Sequence, residues 1–143
     1  MNTVRRTMLL SLLPLSLTCS AIAMAQKISV VVHPEHKGDI SSEHIKKIFL
    51  GQLNELPDGT EAIPVNLKTG SDIRINFDKE LLGKNPSQIK AYWSSQVFTG
   101  RGSPPKEVDS SQKCLNMIAE NKNVICYIDS TSLNDSVAPI LDF

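Results

Sequence analysis

The sequence has no run of lysine and arginine, no internal repeat and no low-complexity tract. Without a basic cluster the electrostatic footprint of a nucleic-acid binder is missing, and no nucleic-acid partner is expected. Long apolar stretches are missing too, apart from Met8 to Leu17, which Pro14 interrupts. That stretch falls well short of the roughly 20 residues a spanning helix needs. Arg5 and Arg6 precede it and Ala23-Met24-Ala25 follows it. A basic head, a short apolar body and a small-residue site make a secretory signal, with cleavage expected after Ala25. The expected organisation is a signal peptide over 1–25 and one exported domain over 26–143. No second apolar span follows, so no membrane span is expected after cleavage, and the expected compartment is a bacterial periplasm.

Cysteine is scarce: three in all, of which Cys19 lies in the signal. Thr18 stands before Cys19 where a lipoprotein signal needs a small residue, so lipidation is not expected. Cys114 and Cys126 remain, in a compartment that permits disulfides. A bridge over so short a loop would stabilise by roughly 3 kcal/mol in the chain-entropy view. Sequence spacing leaves two outcomes open, a Cys114–Cys126 disulfide or two buried thiols.

Catalytic patterning is also missing. Asp129, Asp135 and Asp142 are scattered, and no nucleophile, base and orienting group stand in an ordered pattern. His33-Pro34-Glu35-His36 carries metal-ligand chemistry, but not at a recognised ligand spacing, and reads as a surface loop. No enzyme activity, no metal and no other cofactor is expected. Removing the signal leaves 118 of the 143 residues, with 13 basic and 15 acidic side chains, enough for one domain.

What is present alternates between strand and helix. Ile28 to Val32 is a β-branched run suited to a buried strand. Ser41-Ser42 offers N-cap oxygens to a helix with Ile45, Ile48 and Phe49 on one face, which Gly51 can end. Glu61 to Leu67 reads as a second strand after the Pro57-Asp58-Gly59 turn. A helix starts at Thr69-Gly70-Ser71, with Ile73, Phe77 and Leu81 on its apolar face. Asn85-Pro86 with Gln88 predicts a capping box and a third helix, on which Tyr92 and Trp93 sit at core spacing. Thr99 to Pro105 reads as a loop, and Thr99-Gly100-Arg101-Gly102 within it as a minor candidate for an anion nest. Asp109 or Ser110 caps a fourth helix. Val124 to Ile128 is a strand, and Val137 to Phe143 an extended edge segment containing Pro139. This order predicts an α/β layer with a largely parallel sheet and about four flanking helices. Ligands of such sheets bind beyond the carboxyl ends of strands, here after Val32 and after Val65.

One ordered set of short motifs covers much of the chain. Ile48-Phe49-Leu50-Gly51 is followed by Pro57-Asp58-Gly59, Ile63-Pro64-Val65 and Gly70-Ser71. Then come Tyr92-Trp93, Phe98-Thr99-Gly100 and Pro104-Pro105. The set resembles the small, single-lobe relatives of the phosphate-binding proteins of ABC transporters. The resemblance implies one lobe of a type II periplasmic-binding-protein fold. It also implies a non-catalytic solute-binding module, with phosphate or a related oxyanion as ligand and an ABC permease or another periplasmic protein as partner. An adaptor domain that kept the lobe and lost the anion is the alternative it leaves.

In this family a Gly-Ser-Gly-Thr loop at a helix start holds the anion, where free N–H groups and the helix dipole favour negative charge. Carried over residue by residue, the resemblance implies an anion site at Thr69, Gly70, Ser71 and Arg74. The match is partial. Leu67 stands where the family has an arginine, Asp72 where it has its second glycine, and Ile73 where it has threonine. Asp72 would repel a dianion from that loop. Full-length relatives close two lobes over the anion, and a chain of this length has room for one.

Overall fold

The computed structural model describes residues 26–143, and the expected signal sequence lies outside the described residues. Five strands form one sheet: β1 Ile28–Val32, β2 Ile63–Leu67, β3 Lys106–Val108, β4 Val124–Asp129 and β5 Ala138–Asp142. Four helices flank it: α1 Ser42–Phe49, α2 Asp72–Glu80, α3 Pro86–Phe98 and α4 Ser111–Glu120. The strand order is β3-β2-β4-β1-β5. The expected α/β lobe is present. Its parallel part is β3-β2-β4, joined by helical crossovers, while β1 runs antiparallel to both β4 and β5.

Local chemistry accounts for the helix starts. The Ser41, Ser71 and Ser110 side chains accept from the backbone N–H three residues on. At α3 the capping box forms in both directions, Asn85 with the Gln88 N–H and Gln88 with the Asn85 N–H. Gly51 ends α1 with φ +68° and lies against the Trp93 indole, where an added Cβ would come within 3.1 Å.

The core is centred on the paired strands β1 and β4. Every residue of β1 is buried, and so is every residue of β4 except Asp129 at its end. Tyr127 of β4, Phe77 of α2 and Phe49 of α1 form an aromatic nucleus. The Phe77 and Tyr127 rings stack with centroids 3.6 Å apart, and Phe49 meets Phe77 edge-on at 4.8 Å. The Tyr127 hydroxyl reaches β2, accepting from the Leu67 N–H at 3.1 Å and donating to Asn66 Oδ1 at 3.3 Å. That pair of bonds fixes the carboxyl end of β2, from which the candidate site departs.

The ends of the chain order differ from expectation in two places. β2 begins at Ile63, and Glu61 makes only an isolated bridge to Glu55. Lys106–Val108, which has no alternating apolar pattern, is a strand because it completes the parallel ladder beside β2. Cys114 of α4 and Cys126 of β4 are brought together, with Cα atoms 6.1 Å apart and sulfurs at bonding distance.

Candidate functional site

β2 ends at Leu67, and Lys68-Thr69-Gly70 turns the chain into α2. Gly70 sits at φ +88°, a conformation glycine adopts without penalty. Ser71 closes the turn by donating to the Lys68 carbonyl at 2.9 Å while capping α2. α2 then buries Arg74, Phe77 and Asp78, positions three and four apart that share one helical face. Phe77 enters the aromatic nucleus, and Arg74 and Asp78 lie beside it.

Arg74 is 5% exposed, and its Nε and Nη1 both find partners. Its Nε donates to Asp78 Oδ2 at 2.8 Å, and its Nη1 to the Leu67 carbonyl at 3.0 Å and to Glu107 Oε1 at 3.1 Å. Glu107 comes from β3, where it pairs in register with Asn66. Its carboxylate also accepts from Thr69, through Oγ1 at 2.5 Å and the backbone N–H at 3.3 Å. Three donors from β2's exit turn and from α2 therefore converge on one carboxylate.

The electrostatics are unequal across this cluster. Partial burial pushes the Glu107 carboxyl up, but the hydrogen bonds from Thr69 and the Arg74 guanidinium outweigh it and hold the group below its usual value. Burial raises Asp78 above its usual value, and the pull of Arg74 does not fully offset this. Asp78 Oδ1 is buried without a hydrogen-bond partner. One guanidinium thus serves two carboxylates, one held ionised at the surface and one strained by burial.

A groove of about 790 Å³ opens from this cluster along α3. Thr69, Arg74 and Glu107 line its polar end, and Ile89, Trp93, Val97, Phe98 and Pro104 are among its apolar walls. Val97 is 56% exposed and Phe98 91% exposed, and among the described residues these are the large apolar side chains left open to solvent.

The residues expected to form the anion site thus fall into two groups. Thr69 and Arg74 meet at the groove, whereas Ser71 is spent on its own turn and helix cap. Leu67 contributes to the site through its carbonyl, with its side chain in the core. Asp72 is exposed on the first turn of α2. In the Thr99–Gly102 loop, the N–H groups of Thr99, Gly100 and Arg101 are occupied by carbonyls of α3, so they form a helix cap and no anion nest. His33 caps a short turn, His36 pairs with Asp58, and His44 bonds the Glu55 carbonyl. Among the described residues no three His, Cys, Asp or Glu side chains are grouped to hold a metal. Sequence reasoning missed Asp78 and Glu107. The i, i+4 spacing of Arg74 and Asp78 was a usable signal; Glu107 had none.

No protein-family model matches the chain, and no curated protein does. Solved structures do. The chain superposes on an ABC-type phosphate transport receptor from Vibrio cholerae with TM-score 0.62 and 17% identity, over 80% of this chain and 45% of that one. A protein from Clostridium perfringens, described as a phosphate ABC transporter substrate-binding protein and solved with bound phosphate, gives TM-score 0.61 and 20% identity over the same shares. A protein from Planctomyces limnophilus, described as a possible phosphate binding protein, gives 0.56 and 10%, over 80% and 40%. At these identities the likeness establishes the fold. The chain has the α/β architecture of periplasmic-binding-protein-like molecules and spans about half the length of the neighbours it matches. Among the described residues no helix is long and apolar enough to cross a membrane.

Proposed function

We propose that this domain is an exported, non-catalytic binding module that takes phosphate or a related oxyanion at the Thr69–Arg74 cradle, in place of the Glu107 carboxylate. The observation that carries the reading is the convergence of the Thr69 N–H, the Thr69 hydroxyl and Arg74 Nη1 on a single anionic group. Donors preset around a carboxylate suit the tetrahedral oxygens of an oxyanion equally well, since both accept charge-assisted hydrogen bonds. The fold shared with phosphate-transport receptors supports the same reading. Export to the periplasm and hand-over to an ABC permease belong to it as well.

Charge sets the terms of binding. With Glu107 in place, one guanidinium faces two carboxylates, and a further anion is repelled. When the Glu107 side chain swings out, an entering monoanion restores the same balance. Glu107 therefore acts as an internal competitor and sets a weak apparent affinity. A ligand that binds only the folded state stabilises by RT ln(1 + [L]/Kd), about 2.7 kcal/mol at a hundredfold excess. Melting curves in phosphate, with chloride at matched ionic strength, test the reading on the wild type and on Glu107→Gln. Phosphate should raise the melting temperature of Glu107→Gln more than that of the wild type. No shift in either protein with phosphate, sulfate or arsenate overturns the reading.

A further inference from the structure

The cradle and the groove are one continuous surface, and the groove is far too large and too apolar for an inorganic ion. We infer that the ligand is an organic oxyanion, a phosphonate or phosphate monoester with an apolar substituent of about aryl size. Its acid head sits among Thr69 and Arg74, and its body lies along Trp93, Val97 and Phe98. This rests on the oxyanion reading above and names the ligand class of that site.

The volume, about 790 Å³, falls in the range of sites that hold drug-sized organic molecules. Such sites combine apolar walls with a few convergent polar groups, which is the arrangement here: the Thr69 and Arg74 donors converge at the cradle, and the α3 side of the groove is mainly apolar, interrupted by Ser87, Lys90 and Ser94. Charge suits an amphiphilic anion once the Glu107 carboxylate has left the cradle: the guanidinium of Arg74 then faces Asp78 alone, and Lys90 adds a second cation to the groove lining. The exposed apolar side chains add an independent argument. Val97 and Phe98 are solvent-open at consecutive positions, and both line this groove. Exposed apolar surface is unremarkable when scattered, but here it is gathered beside the Thr69 and Arg74 donors. Trp93 is 7% exposed and supplies a fixed aromatic wall. Its neighbour Tyr92 locks that part of α3 through a 2.7 Å hydrogen bond to the Leu50 carbonyl.

The experiment is calorimetric titration of the purified domain with inorganic phosphate and with phenylphosphonate, on the wild type and on a Val97→Ser, Phe98→Ser double variant. Both substituted positions are exposed, so the variant keeps its core, and a circular-dichroism melt confirms it. Phenylphosphonate should bind the wild type at least 10-fold more tightly than phosphate, and the double variant should bring the ratio close to one. Equal affinities for the two ligands in the wild type overturn the inference and leave the oxyanion reading standing. Absence of binding by both ligands to both proteins overturns the two together. If sedimentation instead shows concentration-dependent self-association that the double variant abolishes, with no preference for phenylphosphonate, the apolar wall is a protein interface and the inference fails.

Discussion

At one edge of the sheet β5 lies against β1, with Pro139 tolerated in the ladder and Ala138 buried beneath it. At the other edge β3 is three residues long and presents Lys106 and Glu107 outward. The first edge closes the core. The second carries charge, and beside it stand an open apolar groove and the exposed Phe98. α2 spans the contrast within a single face: Phe77 stacks on Tyr127, while Arg74 and Asp78 serve the polar cluster. The difference teaches where the chain places stability and where it places capability. Aromatic stacking over buried β-branched strands needs no partner outside the domain. A guanidinium shared by two carboxylates, next to solvent-open apolar side chains, is an arrangement that folding alone does not call for.

The largest test removes the aromatic nucleus. Phe77→Ala should cost about 3–5 kcal/mol, as a fully buried ring replaced by a methyl leaves a cavity against Tyr127 and Phe49. Denaturant melts should show the loss, with a melting temperature lower by roughly 15 °C for a domain of this size. A loss below about 1 kcal/mol would mean that the stack is dispensable and the contrast misplaced.

Arg74→Ala should cost about 3 kcal/mol, since it strands Asp78 as a buried carboxylate with no cation. The paired change Arg74→Met with Asp78→Leu should recover most of that loss, because apolar side chains of similar volume replace the ion pair without leaving a charge behind. Stability recovered without recovery of phosphate binding would separate the two roles of the arginine. For the same reason, Arg74→Ala alone cannot report on binding, since its effect on folding dominates.

The smallest effect concerns Glu107 and pH. Its folded-state pKa lies below the ordinary value of 4.5, so its contribution is present above that value and is lost as pH falls through the folded pKa. The stability gap between the wild type and Glu107→Gln should therefore be full at neutral pH and close in the acid range. With the side chain 42% exposed, solvent screening limits the gap to about 1 kcal/mol or less. A gap that is constant from neutral to acid pH would show that the carboxylate's charge does not matter to the cradle.

Much of the fold was legible because local rules suffice for it. Ser41, Ser71, Asn85 with Gln88, and Ser110 announce helix starts by chemistry within three residues. The runs Ile28–Val32 and Val124–Ile128 announce buried strands by composition. The turn at Thr69-Gly70-Ser71 was legible for the same reason. The site was legible only as far as that turn.

The sequence by itself determined the order of the helices and of every strand but β3, the caps, and the presence of Thr69 and Arg74 on one short segment. Tertiary structure alone decided what those residues face. Glu107 lies 33 positions from Arg74, in a strand that has no apolar periodicity and exists only because β2 offers it a parallel ladder. Its carboxylate reaches Thr69 because the register pairs it with Asn66, a relation set by packing across the sheet and invisible to any local pattern. Periodicity marks which residues turn inward. It does not say that a buried arginine will be shared between a carboxylate on its own helix and one delivered by a distant edge strand, because that sharing is a balance of desolvation and ion pairing that arises only once the chain has closed.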